Sequence, residues 1–146
     1  MTLLRMDNLE INVEDLDAAI AFFTELGMQL EGRMPIEGPW VDRILGLEGV
    51  RTEIAMMRIP DGHGRLELTK YHRPAAIHAE PQPASPNTLG ISRIMFAVSD
   101  IDDTIARLRT HGAELLGEVV QYENQYRLCY LRGPEGILLA LAQPLR

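Results

Sequence analysis

The sequence contains an internal repeat, in which residues 13–32 match residues 98–117 without a gap at eight of twenty positions. A second match closes each half of the chain. There, Pro60-Asp61-Gly62 before Leu66-Glu67-Leu68 corresponds to Pro134-Glu135-Gly136 before Leu139-Ala140-Leu141. Self-similarity of this kind marks a repeated structural unit, so the chain is predicted to contain two copies of one supersecondary unit.

The first repeat begins with a strand and a helix. Leu9, Ile11 and Val13 alternate with polar residues, which is the period-two pattern of a half-buried strand within residues 3–13. Asp15 is placed to cap the helix that follows, and Gly27 is placed to end it.

The second repeat has the same design. Residues 91–98 are predicted as a strand, Ser99 or Asp100 as the helix cap, and Gly112 as the end of the helix. Strand-forming residues follow each helix, with turns rich in Gly and Pro between them. The predicted strands are 51–59 and 65–70 in the first repeat and 118–122, 125–132 and 137–142 in the second.

A length of 146 residues suits a single compact domain. We divide it into module 1 (residues 1–73), a linker (74–90) and module 2 (91–146). The linker holds four of the nine prolines and shows little periodicity. Residues 38–47 include the one tryptophan, Trp40, and are predicted as either a short covering helix or a flap over a pocket.

Composition excludes several partners. The net charge is −7 and no cluster of Lys and Arg is interleaved with aromatic residues, so neither nucleic acid nor a membrane surface is expected to bind. The charged residue Arg5 comes before any apolar stretch long enough for a signal peptide. No run in the sequence approaches the roughly twenty apolar residues of a membrane span. We expect a soluble, cytoplasmic protein.

Cysteine and histidine give little sign of chemistry. Cys129 lies in an apolar run and is predicted to be a buried small hydrophobe, with a catalytic thiol as the alternative. His63 is predicted as a turn residue, although a general base at the mouth of a site is the alternative. His63 and Glu67 would lie roughly 13 Å apart along a strand, and His72 has the opposite parity to Glu67, so the three cannot share an ion.

A βαβββ unit that occurs twice, with V-x-D-[LI]-D at the junction of strand and helix and P-[DE]-G before the last strand, resembles the vicinal oxygen chelate superfamily. That family includes glyoxalase, methylmalonyl-CoA epimerase, extradiol dioxygenases and bleomycin-resistance proteins. The resemblance implies an α+β fold of two tandem modules that form a curved mixed sheet around a cup-shaped site. It also implies a homodimer.

In metal-dependent members of that family, four inward side chains hold the ion, two from each module. The resemblance places Asn8, Glu67, Arg93 and Ala140 at these positions, and only Glu67 is an ordinary ligand. At about 4 Å and an effective dielectric near 20, the charge of Arg93 would repel a divalent ion by roughly 8 kcal/mol. We therefore expect no metal or other cofactor, and Arg93 as an anion anchor. An ion pair of Arg93 with Glu67 that merely closes the two modules is the alternative.

The residues around these positions complete the predicted site, which would bind a small organic molecule. Glu67 and Glu10 are the candidate catalytic bases, with a solvated or salt-bridged role as the alternative for each. Tyr126 and Tyr130 are further candidates for stacking on a planar ligand, with core packing as the alternative. The predicted ligand contacts are Asn8, Asn12, Arg65, Arg93, Met95, Tyr122 and Arg127.

Three functions stay open on the sequence. The first is a metal-independent binding protein that resembles the drug-sequestering branch of the family. The second is a metal-dependent lyase, isomerase or dioxygenase with a shifted ligand set. The third is a metal-free enzyme in which Arg93 stabilises an enolate-like oxygen while Glu67 or Glu10 moves a proton.

Overall fold

A computed structural model of the chain describes residues 2–80 and 82–145. The chain divides into two compact units, unit 1 (Met1–Ile77) and unit 2 (His78–Arg146). Each unit contains one mixed β-sheet with helices, so the predicted α+β fold with a repeated unit is confirmed. The boundary falls within the predicted linker, whose described residues contain neither helix nor strand.

Unit 1 contains four strands and two helices. Its elements are β1 (Leu9–Asn12), α1 (Leu16–Leu26), β2 (Gln29–Glu37), α2 (Pro39–Leu45), β3 (Arg51–Arg58) and β4 (Arg65–Arg73). The strand order is β1-β4-β3-β2. The first strand runs parallel to the last, and the other neighbours are antiparallel.

Unit 2 repeats this topology. Its elements are β5 (Arg93–Ala97), α3 (Ile101–Arg109), β6 (Glu114–Leu115), β7 (Val120–Tyr122), β8 (Tyr126–Arg132) and β9 (Leu138–Pro144). The first strand again runs parallel to the last, in the order β5-β9-β8-β6. Both β6 and β7 pair with β8, so together they take the place that β2 has in unit 1.

The repeated V-x-D-[LI]-D motif has the same structural role in both units. Asp15 Oδ1 accepts a hydrogen bond from the backbone N–H of Ala18 at 3.0 Å, and Asp100 Oδ1 accepts one from Asp103 at 3.0 Å. Each carboxylate satisfies a backbone donor that the first turn of its helix leaves unpaired. Both predicted caps are confirmed, with Asp100 rather than Ser99 as the second.

The second aspartate of each motif ties the helix to its sheet. Asp17 accepts a hydrogen bond from Arg33 Nη1 on β2 at 2.7 Å. Asp102 accepts two bonds from the guanidinium of Arg127 on β8, at 2.7 and 3.1 Å. The two aspartates of the motif therefore fix both the start of the helix and its position on the sheet.

One face of each sheet packs against its helix and forms the core. In unit 1, Phe22 and Phe23 of α1 stack edge to face at 5.2 Å between ring centroids and are fully buried. In unit 2, Cys129 is buried as predicted, and burial raises the pKa of its thiol. The buried residues on these faces of the sheets include Ile11, Ala55, Met57, Leu66, Leu68, Leu131, Leu139 and Leu141.

The predicted boundaries needed correction in several places, and the short strand β6 lies outside the predicted strands. β1 is shorter than the alternating segment 3–13, and α3 ends at Arg109 with Thr110 as its cap rather than at Gly112. β2 was not predicted, because nearly all of its residues are exposed and it contains Gly32 and Pro35. It lies at the edge of the sheet, where a proline is tolerated.

Residues 38–47 contain a helix, which is one of the two structures predicted for them. Val41 of α2 is buried, whereas Trp40 and Ile44 are exposed. The carboxylate of Asp42 accepts hydrogen bonds from the backbone of Gly49 at 3.0 Å and Val50 at 2.8 Å, which fixes the loop into β3.

Among the described residues, no helix has the length and apolarity to cross a membrane. The cytoplasmic location and the homodimer stay predictions.

Replacement of either cap by alanine should cost similar stability, because the two bonds have the same length and position. We expect Asp15→Ala and Asp100→Ala each to lower the free energy of unfolding by about 1 kcal/mol. Asp15→Asn, which keeps a side-chain acceptor, should lose much less. Urea unfolding followed by circular dichroism measures the effect, and a loss as large in Asp15→Asn would contradict the capping role.

Candidate ligand-binding site

The sheet of each unit has a second face, opposite its helix, which we call the open face. Side chains alternate between the two faces of a strand, so the open face is read from the strand register. In unit 1 its residues on β1, β3 and β4 include Glu10, Asn12, Thr52, Ile54, Met56, Arg58, Arg65, Glu67, Thr69 and Tyr71. In unit 2 they are Arg93, Met95, Ala97, Glu114, Val120, Tyr122, Tyr126, Leu128, Tyr130, Arg132, Leu138, Ala140, Ala142 and Pro144.

The open face of unit 1 carries two neighbouring carboxyl groups. Glu10 of β1 and Glu67 of β4 are register partners in a parallel pair, so their side chains stand side by side. Glu10 Oε2 accepts a hydrogen bond of 2.8 Å from the hydroxyl of Thr69, which is buried. This bond holds Glu10 in place beside Glu67.

Burial raises the pKa of the Glu67 carboxyl above its ordinary value, and the negative charge of Glu10 raises it further. Burial also raises the pKa of the Tyr71 phenol, with smaller contributions from the charges of Glu10 and Glu67. A carboxyl group with a raised pKa is suited to exchanging protons nearer to neutral pH. Glu67 therefore has the chemistry expected of a general base or acid.

Two other predicted contacts of unit 1 have different surroundings. Arg65 lies on the open face, and its Nη2 forms an ion pair of 3.0 Å with Glu31 of β2. Its charge is thus already balanced by a neighbour. Asn8 precedes β1 and donates a hydrogen bond of 3.1 Å to Asp7, whereas Asn12 is exposed on the open face.

The open face of unit 2 carries a guanidinium held by a tyrosine. Arg93 Nη1 donates a hydrogen bond of 2.8 Å to the hydroxyl of Tyr130, and the guanidinium carbon lies 5.5 Å from the centroid of the same ring. Arg93 is on β5 and Tyr130 is on β8, with β9 between them. The contact therefore crosses β9, beside the fully buried Ala140 that pairs with Tyr130.

Arg93 has no carboxylate partner within the described part of unit 2. By contrast, Arg107 pairs with Asp103 and Arg127 with Asp102. An exposed guanidinium that has a phenol rather than an acid as its neighbour keeps its charge and most of its five donors for another group.

Arg127 does not join the other candidates of unit 2. It follows Tyr126 on β8, so the two side chains point to opposite faces, and Arg127 lies on the helix side with Asp102. That ion pair lowers the pKa of the Asp102 carboxyl. Met95, Tyr122 and Tyr126 do lie on the open face, each at least two-fifths exposed. We therefore exclude Arg127 from the candidate site.

Two residues gain importance beyond the predicted set. Tyr71 shares the open face with Glu67, and the charge of Glu67 contributes to the raised pKa of the Tyr71 phenol. The even spacing of the two residues along β4 could have identified Tyr71 as a residue of the same face. Tyr130 is a predicted stacking residue, and its hydrogen bond with Arg93 joins residues 37 positions apart. No local pattern signals a contact at that separation.

The residue types at the expected metal positions do not fit an ordinary divalent-metal site. Across residues 2–80 and 82–145, no three His, Cys, Asp or Glu side chains come together as metal ligands would. Of the four positions, Glu67 is an ordinary ligand, Ala140 has no donor and Arg93 is a cation. His63 lies in a turn, as predicted, where its backbone N–H donates to Asp61 at 2.8 Å.

The fold consists of two βαβββ-type units, each with its own open face, and this architecture is the basis for assigning the protein to a family. Residues 5–141 match the family model of the Glyoxalase/Bleomycin resistance protein/Dioxygenase superfamily, and the chain belongs to this superfamily. A glyoxalase family protein from Bacillus cereus is 56% identical, with a TM-score of 0.95 over 100% of this chain and 97% of that one. None of the curated proteins matches the chain.

More distant structures share the fold alone. TnmS3, an antibiotic binding protein from Streptomyces, is 19% identical with a TM-score of 0.60, over 99% of this chain and 98% of that one. A glyoxalase I mutant from Zea mays is 18% identical with a TM-score of 0.66, and the match covers 97% of this chain and 46% of that one. The same fold thus occurs in proteins whose names describe binding and in proteins whose names describe catalysis.

The raised pKa of Glu67 predicts a dependence of stability on pH. The folded state holds the proton more tightly than the unfolded state, so this carboxyl stabilises the fold below its ordinary pKa of 4.5. That contribution is lost as the pH rises through the folded-state pKa. Above it, ionised Glu67 is desolvated and faces Glu10.

Glu67→Gln should therefore raise the free energy of unfolding at pH 7.5, by about 0.2–1 kcal/mol, as for a like-charged cross-strand pair. The gain should disappear at about pH 3.5, where the parent carboxyl is protonated in both states. Urea unfolding at the two pH values provides the measurement. The exposed Glu118→Gln serves as a control without the effect, and an equal gain at both pH values would contradict the assignment.

Proposed function

We propose that the protein binds a small organic anion on the open face of unit 2, with Arg93 as the anchor and without a metal ion. The single observation that supports this most is the guanidinium of Arg93, which is exposed, is held by Tyr130 and lacks an acid partner among the described residues of its own unit. Of the arginines described in unit 2, Arg93 and Arg109 are exposed, and of these two Arg93 lies on the open face.

The surroundings of Arg93 favour an organic rather than an inorganic anion. Met95, Val120, Tyr122 and Tyr126 are all exposed on the same face. Aromatic and thioether side chains bury the apolar part of a ligand and can stack on a ring. A mainly apolar surface with a few polar or charged groups is the usual composition of a small-molecule site.

The residues at the metal positions support a metal-free site, because a guanidinium repels a divalent cation and alanine offers no donor. A metal-dependent lyase, isomerase or dioxygenase would need a shifted ligand set. The antibiotic binding protein TnmS3 provides a precedent for a binding function on this fold.

Benzoate is a suitable probe, because it combines one carboxylate with one ring. We expect Arg93→Leu to weaken benzoate binding by about ten- to a hundredfold, the equivalent of one charged hydrogen bond. Binding is measured by nuclear magnetic resonance titration of protein treated with EDTA.

Arg109→Leu, which removes an exposed arginine from the end of α3, is the matched control and should bind benzoate as the parent does. If Arg93→Leu binds benzoate with the same affinity as the parent, Arg93 is not the anchor. If binding disappears with EDTA and returns with a divalent metal, the metal-free part of the proposal is wrong.

A second candidate function, metal-free proton transfer, is favoured by the raised pKa of Glu67 beside Glu10. In this function Glu67 takes a proton from carbon, and the resulting oxyanion needs a cationic partner such as a guanidinium. The carboxyl pair is well placed for this role, because Thr69 fixes Glu10 while leaving Glu67 as the group with the perturbed pKa.

Pyruvate tests this second function, because abstraction of its methyl proton gives an enolate. In D₂O, EDTA-treated protein should catalyse exchange of the methyl protons, and Glu67→Gln should lose about a hundredfold or more of that rate. Proton spectra of pyruvate follow the exchange over time. Glu118→Gln should catalyse the exchange at the parent rate. If the parent catalyses no exchange, the proton-transfer function is wrong and only the binding function remains.

A further inference from the structure

We infer that Tyr130 is a second donor of the anion site, so that Arg93 and Tyr130 together take the carboxylate of an organic ligand. This inference rests on the proposed function and specifies the ligand group that the site recognises. It assigns to Tyr130 a direct contact with the ligand, in addition to its contact with Arg93.

The hydrogen-bond arrangement leaves one donor on Tyr130. Its hydroxyl accepts from Arg93 Nη1 at 2.8 Å, and a phenol that accepts a bond still has its own O–H to donate. Arg93 uses one of its five N–H donors in this contact. Two neighbouring groups therefore present donors at one place, and a carboxylate has two acceptor oxygens to receive them.

The strand register holds these two donors together. Arg93 lies on β5 opposite Leu138, and Tyr130 lies on β8 opposite Ala140, so the pair spans the intervening strand β9. A methyl group at position 140 leaves room for this contact above the strand. The ring of Tyr130 also attracts the guanidinium, whose carbon lies 5.5 Å from the ring centroid.

The rest of the face indicates what the carboxylate is attached to. Met95 pairs with Ala140 and is 44% exposed, so an apolar side chain lies directly beside the paired donors. Tyr126 and Val120 extend the apolar surface along the strands. A ligand that carries its carboxylate on a ring or an apolar chain matches both parts of this surface.

Tyr130→Phe removes the hydroxyl and keeps the ring, and so tests the second donor. We expect this variant to bind benzoate about tenfold more weakly than the parent, while its affinity for neutral benzamide changes less than twofold. The measured quantity is the ratio of the two affinities, from titrations at constant pH and salt. Ser99→Ala, which removes an exposed hydroxyl just before α3 and outside the strands of the open face, is the control and should keep the parent ratio.

The outcomes separate this inference from the proposed function. If Arg93→Leu loses benzoate binding but Tyr130→Phe keeps the parent ratio, the second donor is wrong and the anchor stands. If Tyr130→Phe weakens both probes equally, its role is structural and the inference is overturned. If Arg93→Leu binds benzoate as well as the parent does, the proposed function itself fails.

Discussion

The parallel pairing of the first strand with the last strand of each unit is the constraint on which the rest of the structure depends. β1 pairs with β4 and β5 with β9 in the same relative register. This pairing brings residues from the two ends of a unit into one row, such as Glu10 with Glu67. It also fixes which side chains face the helix, because a shift by one residue would turn every side chain to the other face. Burial of the leucine-rich face therefore determines what the open face displays.

The sequence predicted the parts of the fold that depend on local chemistry. The repeated motif predicted both helix caps, and the apolar run around Cys129 predicted its burial. The alternation of side chains along a strand placed Glu10 and Glu67 on one face. The edge strand β2 escaped prediction because an exposed strand needs no alternation of apolar residues. Arg127 lies close to Tyr122 in sequence, and both are predicted ligand contacts. Only the register of β8 shows that the side chain of Arg127 faces α3. The contact of Arg93 with Tyr130 joins distant residues, and no local pattern encodes it.

The two units use one topology to present different chemistry. The open face of unit 1 carries Glu10 and Glu67, and Arg65 at the start of β4 is paired with Glu31. The open face of unit 2 carries Arg93, which contacts Tyr130, lies near the apolar Met95 and has no acid partner among the described residues of that unit. The core faces of both units must stay apolar to bury their helices. The open faces can therefore differ in charge between the copies while the packing of the core faces stays intact.

The alanine at position 140 and the availability of Arg93 are physically linked. A carboxylate at this position would stand in the same row as Tyr130 and beside Met95, within reach of the guanidinium of Arg93. It would pair with that guanidinium, as Asp102 pairs with Arg127, and the charge would then be neutralised within the unit. Alanine avoids this pairing and leaves space for the phenol of Tyr130, which holds Arg93 without neutralising it. An anion anchor and a metal ligand at this strand position therefore exclude one another.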